Sequence, residues 1–531
     1  MGTIFQKDKR VGITYVYENE SYWDKEKKQP RSRRRLIGRL DEATGEIVAT
    51  RSRKKKEGIL SAEDYPDPLV IRKRLFYGAT YLLDAIGKKL GIINDLKSCF
   101  PNTYKQILSI AYYLILEDNN PLSRFEKWAD LHEHPYGKTI SSQRSSELFA
   151  SITEDARIQF FKLQGQRRSE KEYWAYDISS FSSYSETLKQ VQYGYNKEHD
   201  RLPQLNLALL FGEESGLPFY YRKLAGNIPD SKTVSNLLAD LSVLGFNKVK
   251  LVMDRGFYSE SNINGLYSEH LKFLVAAKTS LSFIRKKIDQ ANDAIRMFDN
   301  YDQDHDVYAY TVASQWEYTR PRPYKGDTFK GKKRIYIHLY YNIDKAAEDE
   351  RKMDILLATL RDELLAGKCI DAHEKLYAKY FEIKTTPKHG IQITAKADAI
   401  QKAKRYYGFF VLLSNQKMSA LDALTLYRAK DVVEKAFGNL KERLNMRRTL
   451  VSSEKSLDGK LFVGFVALIF LSYINQQMRT KKIYKCYTLQ GALDKLDVIE
   501  CFKHPGRKLR VGEILDKQRS LYSDLGVESP T

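Results

Sequence analysis

Hydrophobic positions in residues 427–450, YRAKDVVEKAFGNLKERLNMRRTL, recur at intervals of one, three and four: Val432, Val433, Ala436, Phe437, Leu440 and Leu444. That spacing predicts an amphipathic helix with one buried stripe. A polar stripe runs beside it. Lys430, Glu434 and Lys441 fall on one face of a 3.6-residue helix, with Tyr427 three residues before Lys430. One carboxylate in a row of cations is by itself an ordinary solvated face. It gains meaning only from acids elsewhere in the chain.

Residues 1–60 alternate as short strands, at 12–18 (GITYVYE) and at 41–48 (DEATGEIV), the latter with a turn at Thr44 and Gly45. Between them RSRRRLIGR carries five arginines, Arg33, Arg34 and Arg35 at its centre, and RSRKKK follows at 51–56. On a β-hairpin such density suits phosphate contacts. Residues 61–170 turn helical and read as a helical DNA-binding domain. There KTISSQRSSELFASI offers Thr139, Ser141 and Ser142 as caps for a helix carrying Arg144, a weak form of helix-turn-helix. His132 and His134 have no further ligands at metal spacing and read as a surface loop; 164–171 (QGQRRSEK) reads as a linker.

Strand patterning takes over at Glu172: EYWAYDISSFS, QLNLALLFG and LPFYYRKLAG predict an antiparallel meander. GNIPDSKT then starts a helix, KVKLVMD forms a short strand, and a helix near 260–269 precedes the strand LKFLVAAK. Three antiparallel strands followed by alternating helix and strand give an α/β fold in the order of an RNase H-like core, with its first part at 171–280. Residues 281–405 mix helices (281–298, 345–366) with strand pieces (308–313, 334–341) and are too long for a loop, so they read as a mixed α/β insertion subdomain. The core resumes at 406–480, from YYGFFVLLSN through the helix at 427–450 to a buried helix at 461–478. Residues 481–531 form a helical tail.

Composition narrows the partner. The chain of 531 residues has a formal net charge of +21, which draws it to polyanions, nucleic acid first. Hydrophobics at 42% exclude a disordered chain. Cys99, Cys369, Cys486 and Cys501 form no CxxC pair, so neither a zinc site nor a disulfide framework is expected, and a reducing cytoplasm is the natural compartment. The N-terminus has no apolar signal core, and the strongest apolar run, 461–471, is about half a membrane crossing. No membrane association is expected.

Two further acids complete the chemistry. Asp177 is expected at or near the end of the first core strand and Asp254 at the end of the fourth. In an RNase H-like sheet these strands are neighbours, so the aspartates meet and the later helix lays Glu434 across them. Three converging carboxylates repel each other unless divalent cations join them, and so suit two hard ions about 4 Å apart that activate water or a 3′-hydroxyl on a phosphodiester. Arg255, beside Asp254, is placed to reach a phosphate.

YWAYDISSFS, GNIPDSKT, VMDRGFYS, YGFFVLLSN and the run from Tyr427 to Lys441 together resemble DDE transposases of bacterial insertion sequences. The nearest subgroup carries a Tyr-x2-Arg-x3-Glu-x6-Lys signature and an inserted subdomain; the likeness spans roughly 170–480 and the N-terminal ESYWDKEKKQPR. It implies Asp177, Asp254 and Glu434 as catalytic and metal-binding residues with two Mg²⁺, Mn²⁺ substituting. It also implies Tyr427 and Lys441 on the DNA end, terminal inverted repeats and target DNA as partners, and a homodimer on paired ends. Lys430 stands where the subgroup has Arg, keeping the charge for DNA without the bidentate fork. The subgroup passes through a hairpin and flips a base onto an aromatic, for which Trp316, Tyr406 and Tyr407 are candidates. Two other readings stay open: an RNase H-like nuclease without strand transfer, and a non-enzymatic DNA-binding protein derived from a transposase.

Overall fold

A computed structural model describes residues 2–8, 12–24, 29–42, 44–48, 73–167, 172–185, 187–194, 202–246, 248–322, 324–386, 390–446, 451, 453–504 and 507–531. The chain forms two compact units, Met1–Ile71 and Arg72–Thr531. RSRKKK at 51–56 lies outside the described residues.

The first unit is an antiparallel sheet of β1 (Gly2–Lys7), β2 (Thr14–Asp24), β3 (Gln29–Leu40) and β4 (Ile47–Val48), in that spatial order. The arginine run is itself a strand. Arg33, Arg34 and Arg35 on β3 are exposed and stand opposite Glu20, Asn19 and Glu18 on β2.

The second unit opens with β5 (Lys73–Phe76) and, among the described residues, six α-helices: α1 (Gly78–Lys89), α2 (Ile92–Cys99), α3 (Tyr104–Leu116), α4 (Phe125–Leu131), α5 (Ser142–Ser151) and α6 (Glu154–Gln166). Ser141 caps α5 by accepting from the Arg144 N–H, as its side chain predicts. Two local expectations fail. His132 and His134 are buried, not in a surface loop: His132 stacks on Trp128 and bonds Asp497, while His134 bonds Ser109. Gln164 and Arg167 are not linker residues, because both donate to the buried Asp95 and lock the end of α6 onto α2.

The main sheet follows: β6 (Tyr173–Ser182), β7 (Gln204–Gly212), β8 (Pro218–Ala225), α7 (Asp230–Leu244), β9 (Lys250–Met253), α8 (Glu260–Ser268), β10 (Lys272–Ala277) and α9 (Ser282–Ile295). Next come β11 (Tyr301–Asp302), β12 (Val307–Arg322), β13 (Asp327–Tyr341), α10 (Ile343–Leu365), α11 (Glu374–Tyr380), β14 (Phe381–Thr386), β15 (Gly390–Ala395), α12 (Ala397–Lys404) and β16 (Phe409–Ser414). Nine strands run in the order β11-β12-β13-β16-β10-β9-β6-β7-β8. β6, β7 and β8 are antiparallel, whereas β9 lies parallel to both β6 and β10, which requires the crossover helices α7 and α8. β7 is buried along its whole length, so it reads as an unbroken apolar run rather than an alternation. Residues 281–405 are not wholly a separate body. β12 and β13 extend the main sheet beside β16, while α10, α11 and β14 gather a small core of their own around Leu360, Tyr377 and Phe381.

The predicted 427–450 helix is interrupted. α13 (Ala420–Ala429) and α14 (Asp431–Gly438) meet at Lys430, and α14 loosens into a π-turn over Asn439–Arg443. α15 (Glu454–Thr480) is long and apolar enough to cross a membrane, yet 89% of its apolar window is packed inside the protein, so it is a core helix. Gly459 permits its closest approach: a Cβ there would stand 2.1 Å from the Phe149 carbonyl oxygen of α5. The tail is not purely helical. Between α16 (Leu489–Asp497) and α17 (Asp516–Asp524), β17 (Glu500–Lys503) pairs with β5 and with β18 (Arg510–Val511), so the C-terminus closes the helical region.

Candidate active site

β6 and β9 pair in parallel through Tyr173–Tyr176 and Lys250–Met253, with Tyr176 opposite Met253. Asp177 and Asp254 are the next residue on each strand, so they stand at one level where the pairing stops. Asp177 is therefore not at the end of β6. The strand continues to Ser182 against β7, and what ends at Asp177 is the parallel ladder. Asp254 leaves β9 and accepts from the Arg255 N–H at 2.7 Å, capping a short 3₁₀ turn.

The helices close over this level. Tyr427, in the last turn of α13, donates its hydroxyl to Asp254 Oδ1 at 2.6 Å. Lys430, at the junction of α13 and α14, is only 7% exposed; its ammonium donates to Glu434 Oε1 at 3.1 Å and lies 5.4 Å from the Tyr427 ring centroid. Burial alone would lower the Lys430 pKa, but Asp254, Glu434 and Asp177 together hold it above its ordinary value. One ammonium thus answers all three acids. Burial likewise pushes the Asp254 carboxyl up, and the Tyr427 hydroxyl, the Arg255 N–H and the Lys430 charge more than offset it, leaving it below the usual carboxylate range. Tyr427 is held well above its ordinary value by burial first and by Asp254 second.

Lys430 corrects the expectation of a DNA contact, since a buried ammonium spent on carboxylates is not presented to phosphate. Lys441 packs its ammonium over the Phe181 ring at 5.3 Å, near the end of β6. Arg255 is exposed beside Asp254. The acids do not form the expected tight ligand set: among the described residues, no group of three or more His, Cys, Asp and Glu side chains is close enough to hold a metal ion. The donor chemistry nevertheless fits a hard divalent cation, because ionised Asp254 and its neighbours have already drawn a buried positive charge into their midst.

A cleft of about 920 Å³ opens from Asp254, Arg255 and Tyr427 to Lys345, Tyr406 and Tyr407. Tyr406 carries the Arg285 guanidinium 4.7 Å from its ring centroid and donates to Asp289. Trp316 is not in the cleft. It is buried, packs edge-on against Phe283 and donates its indole N–H to Asn264, so it serves the core and is not presented to a base. Arg285 and Lys345 escaped the sequence reading. Their approach to Asp254 depends on how α9 and α10 fold back on the sheet, which no local spacing encodes.

The model of the family described as transposase DDE domain matches residues 159–470. No curated protein matches the chain. Among solved structures, the cryo-EM structure of a piggyBac transposase synaptic complex with hairpin DNA is similar to it at 10% identity and a TM-score of 0.32, covering 78% of this chain and 70% of that chain.

Proposed function

Because this chain belongs to the family of transposases with a DDE domain, we propose that it binds the terminal inverted repeats of an insertion sequence, cleaves the DNA at the element ends and transfers the freed 3′-hydroxyl strands to target DNA. The observation that carries this reading is the common level of Asp177 and Asp254 on adjacent parallel strands, with Lys430 answering both of them and Glu434. The strand order β8-β7-β6-β9-β10, three antiparallel strands and then two parallel additions, supports an RNase H-like core interrupted before its last helices.

Each residue then has a task. Asp177, Asp254 and Glu434 are the carboxylates that would hold divalent cations, two Mg²⁺ or Mn²⁺ in this reading. When bound, these supply Lewis-acid activation of water or of a 3′-hydroxyl and charge for the leaving oxygen. Tyr427 fixes the orientation of Asp254 and keeps it ionised. Arg255, at the wall of the cleft, grips a phosphate beside the scissile bond. Lys441 lies near the end of β6, where a DNA end would rest. Tyr406 and Tyr407 offer ring faces across the cleft for an extruded base.

The exposed arginines Arg33, Arg34 and Arg35 and the helices up to residue 170 read the repeat, a homodimer pairs two ends, and the work takes place in the bacterial cytoplasm on the nucleoid. The deciding experiment gives the purified chain Mg²⁺ and a pre-cut duplex end carrying a 3′-hydroxyl, together with plasmid target. Joined product that Asp254→Asn abolishes is expected; cutting without joining would reduce the protein to a nuclease.

A further inference from the structure

We propose that the hairpin of β12 and β13 is a DNA-binding arm that engages duplex DNA beyond the end of the sheet opposite the acids; this rests on the reading of the chain as a DNA-processing enzyme. β16 pairs only with Tyr336–Tyr341 of β13, so residues 327–335 are bonded to β12 alone. The ladders fix the direction in which this ribbon points. Met253, Val275, Leu413 and Ile337 form one row across four strands, and Leu274, Ser414 and Tyr336 form the next, toward the amino ends of β9 and β10. From Tyr336 back to Asp327 the strand therefore runs away from Asp254 and past the far edge of the sheet. At ~3.3 Å per residue its tip lies roughly 30 Å from the row of Met253, the length of about nine base pairs.

The ribbon is built for a polyanion. Residues 320–333 contain six cations, Arg320, Arg322, Lys325, Lys330, Lys332 and Lys333, against one acid, Asp327, which Arg322 already pairs at 2.7 Å. Lysines also guard exposed strands against unwanted pairing. That role does not account for aromatics at the far end, where Tyr324 is fully exposed and Phe329 is 43% exposed. A bare two-stranded ribbon is marginal in water. This one is braced at its root by α8, through Trp316 and Thr319 on Asn264 and the Tyr267 hydroxyl on the Arg334 carbonyl. A braced basic ribbon has the width of the major groove, with cations for both phosphate walls and aromatics at its tip.

The test uses the full chain and its Lys330→Ala/Lys332→Ala/Lys333→Ala variant, with labelled duplexes of ~12 and ~40 base pairs titrated by anisotropy across a KCl series. On the long duplex the variant is expected to bind at least about tenfold more weakly, with the slope of log affinity against log salt reduced by about 2 to 3. On the short duplex it binds as the wild type does, and its melting temperature is unchanged because the three lysines are exposed. Unchanged affinity on both duplexes overturns the arm, and an equal loss on both overturns its placement away from the acids. Failure of the wild type to bind either duplex would remove the DNA-processing reading itself, and the arm with it. Tyr324→Ala, a substitution at a fully exposed position, gives a second reading of the tip on the long duplex alone.

Discussion

The Tyr427 hydroxyl donates to Asp254 at 2.6 Å, tying the last turn of one helix to the end of a strand 173 residues earlier. The bond joins α13 to the main sheet and sets the charge state of a candidate catalytic carboxylate. Tyr427→Phe keeps the buried ring and removes only the donor. A hydrogen bond to a charged group is worth about 1.5–3 kcal/mol, so the variant should lose stability of that order at pH 7. Asp254 has a depressed pKa in the fold, so its contribution is present above its unfolded pKa and is lost as pH falls through the folded one. In the variant that loss begins at higher pH, and the gap to wild type narrows in acid. Urea unfolding at neutral and acidic pH measures both; a gap independent of pH would refute the linkage.

Asp177→Asn, Asp254→Asn and Glu434→Gln each remove one charge with little change of shape. Each should reduce cleavage at least about 10³-fold, because all three carboxylates are needed to bind cations for the chemical step. Duplex affinity should stay within about threefold of wild type, since phosphate contacts come from cations elsewhere. Gel cleavage assays and anisotropy on the same preparations separate the two. Full cleavage by any one variant would take that residue out of the site.

Asp254 was legible because a β-rich run ending in Asp-Arg-Gly stops a strand visibly, and the Ser141 cap because it depends on three neighbouring residues. Asp177 was found but misplaced: whether it ends a strand depends on β7, which continues the pairing to Ser182. The same limit explains Lys430, the His132 and His134 pair, and β17. Their burial follows from which distant segment packs against them, Asp254 and Asp177 in the first case, Asp497 and Ser109 in the second, β5 in the third. Period-3.6 patterning located the helix around Glu434 but not its interruption at Lys430, since the apolar stripe runs straight across the junction.

Lys430→Met leaves three carboxylates without their common countercharge. Loss of a buried partner costs about 3–5 kcal/mol, and because the Glu434 side chain is 61% exposed a value nearer 2 kcal/mol is expected here. Added Mg²⁺ or Mn²⁺ should raise the melting temperature of the variant more than that of wild type, since no ammonium competes for the acids. Lys430→Arg keeps the charge and should melt close to wild type. DNA affinity of the Met variant should be unchanged, in keeping with burial. A melting curve of Lys430→Met indifferent to divalent cations would argue that the acids do not share a cation site.

Glu213, at the turn after β7, predicts the opposite pH behaviour from Asp254. Its carboxylate oxygens are buried without a hydrogen-bond partner among the described residues, beside Glu172, which takes the Glu214 and Ser215 N–H groups. Burial first, then the charges of Glu172 and Glu214, push its pKa up to about 8. The unfolded chain releases this proton near pH 4.5 and the folded chain near 8, so the fold binds the extra proton between them. Stability therefore falls as pH rises across that window and levels off above it. Glu213→Gln is neutral throughout. It should match wild type near pH 5 and exceed it by roughly 2–4 kcal/mol near pH 9, the range allowing for partial solvent screening. Urea midpoints at pH 5, 7 and 9 follow the change. A constant offset between the two proteins would mean that Glu213 ionises in the fold at an ordinary pH, with a partner supplied by rearrangement of the turn.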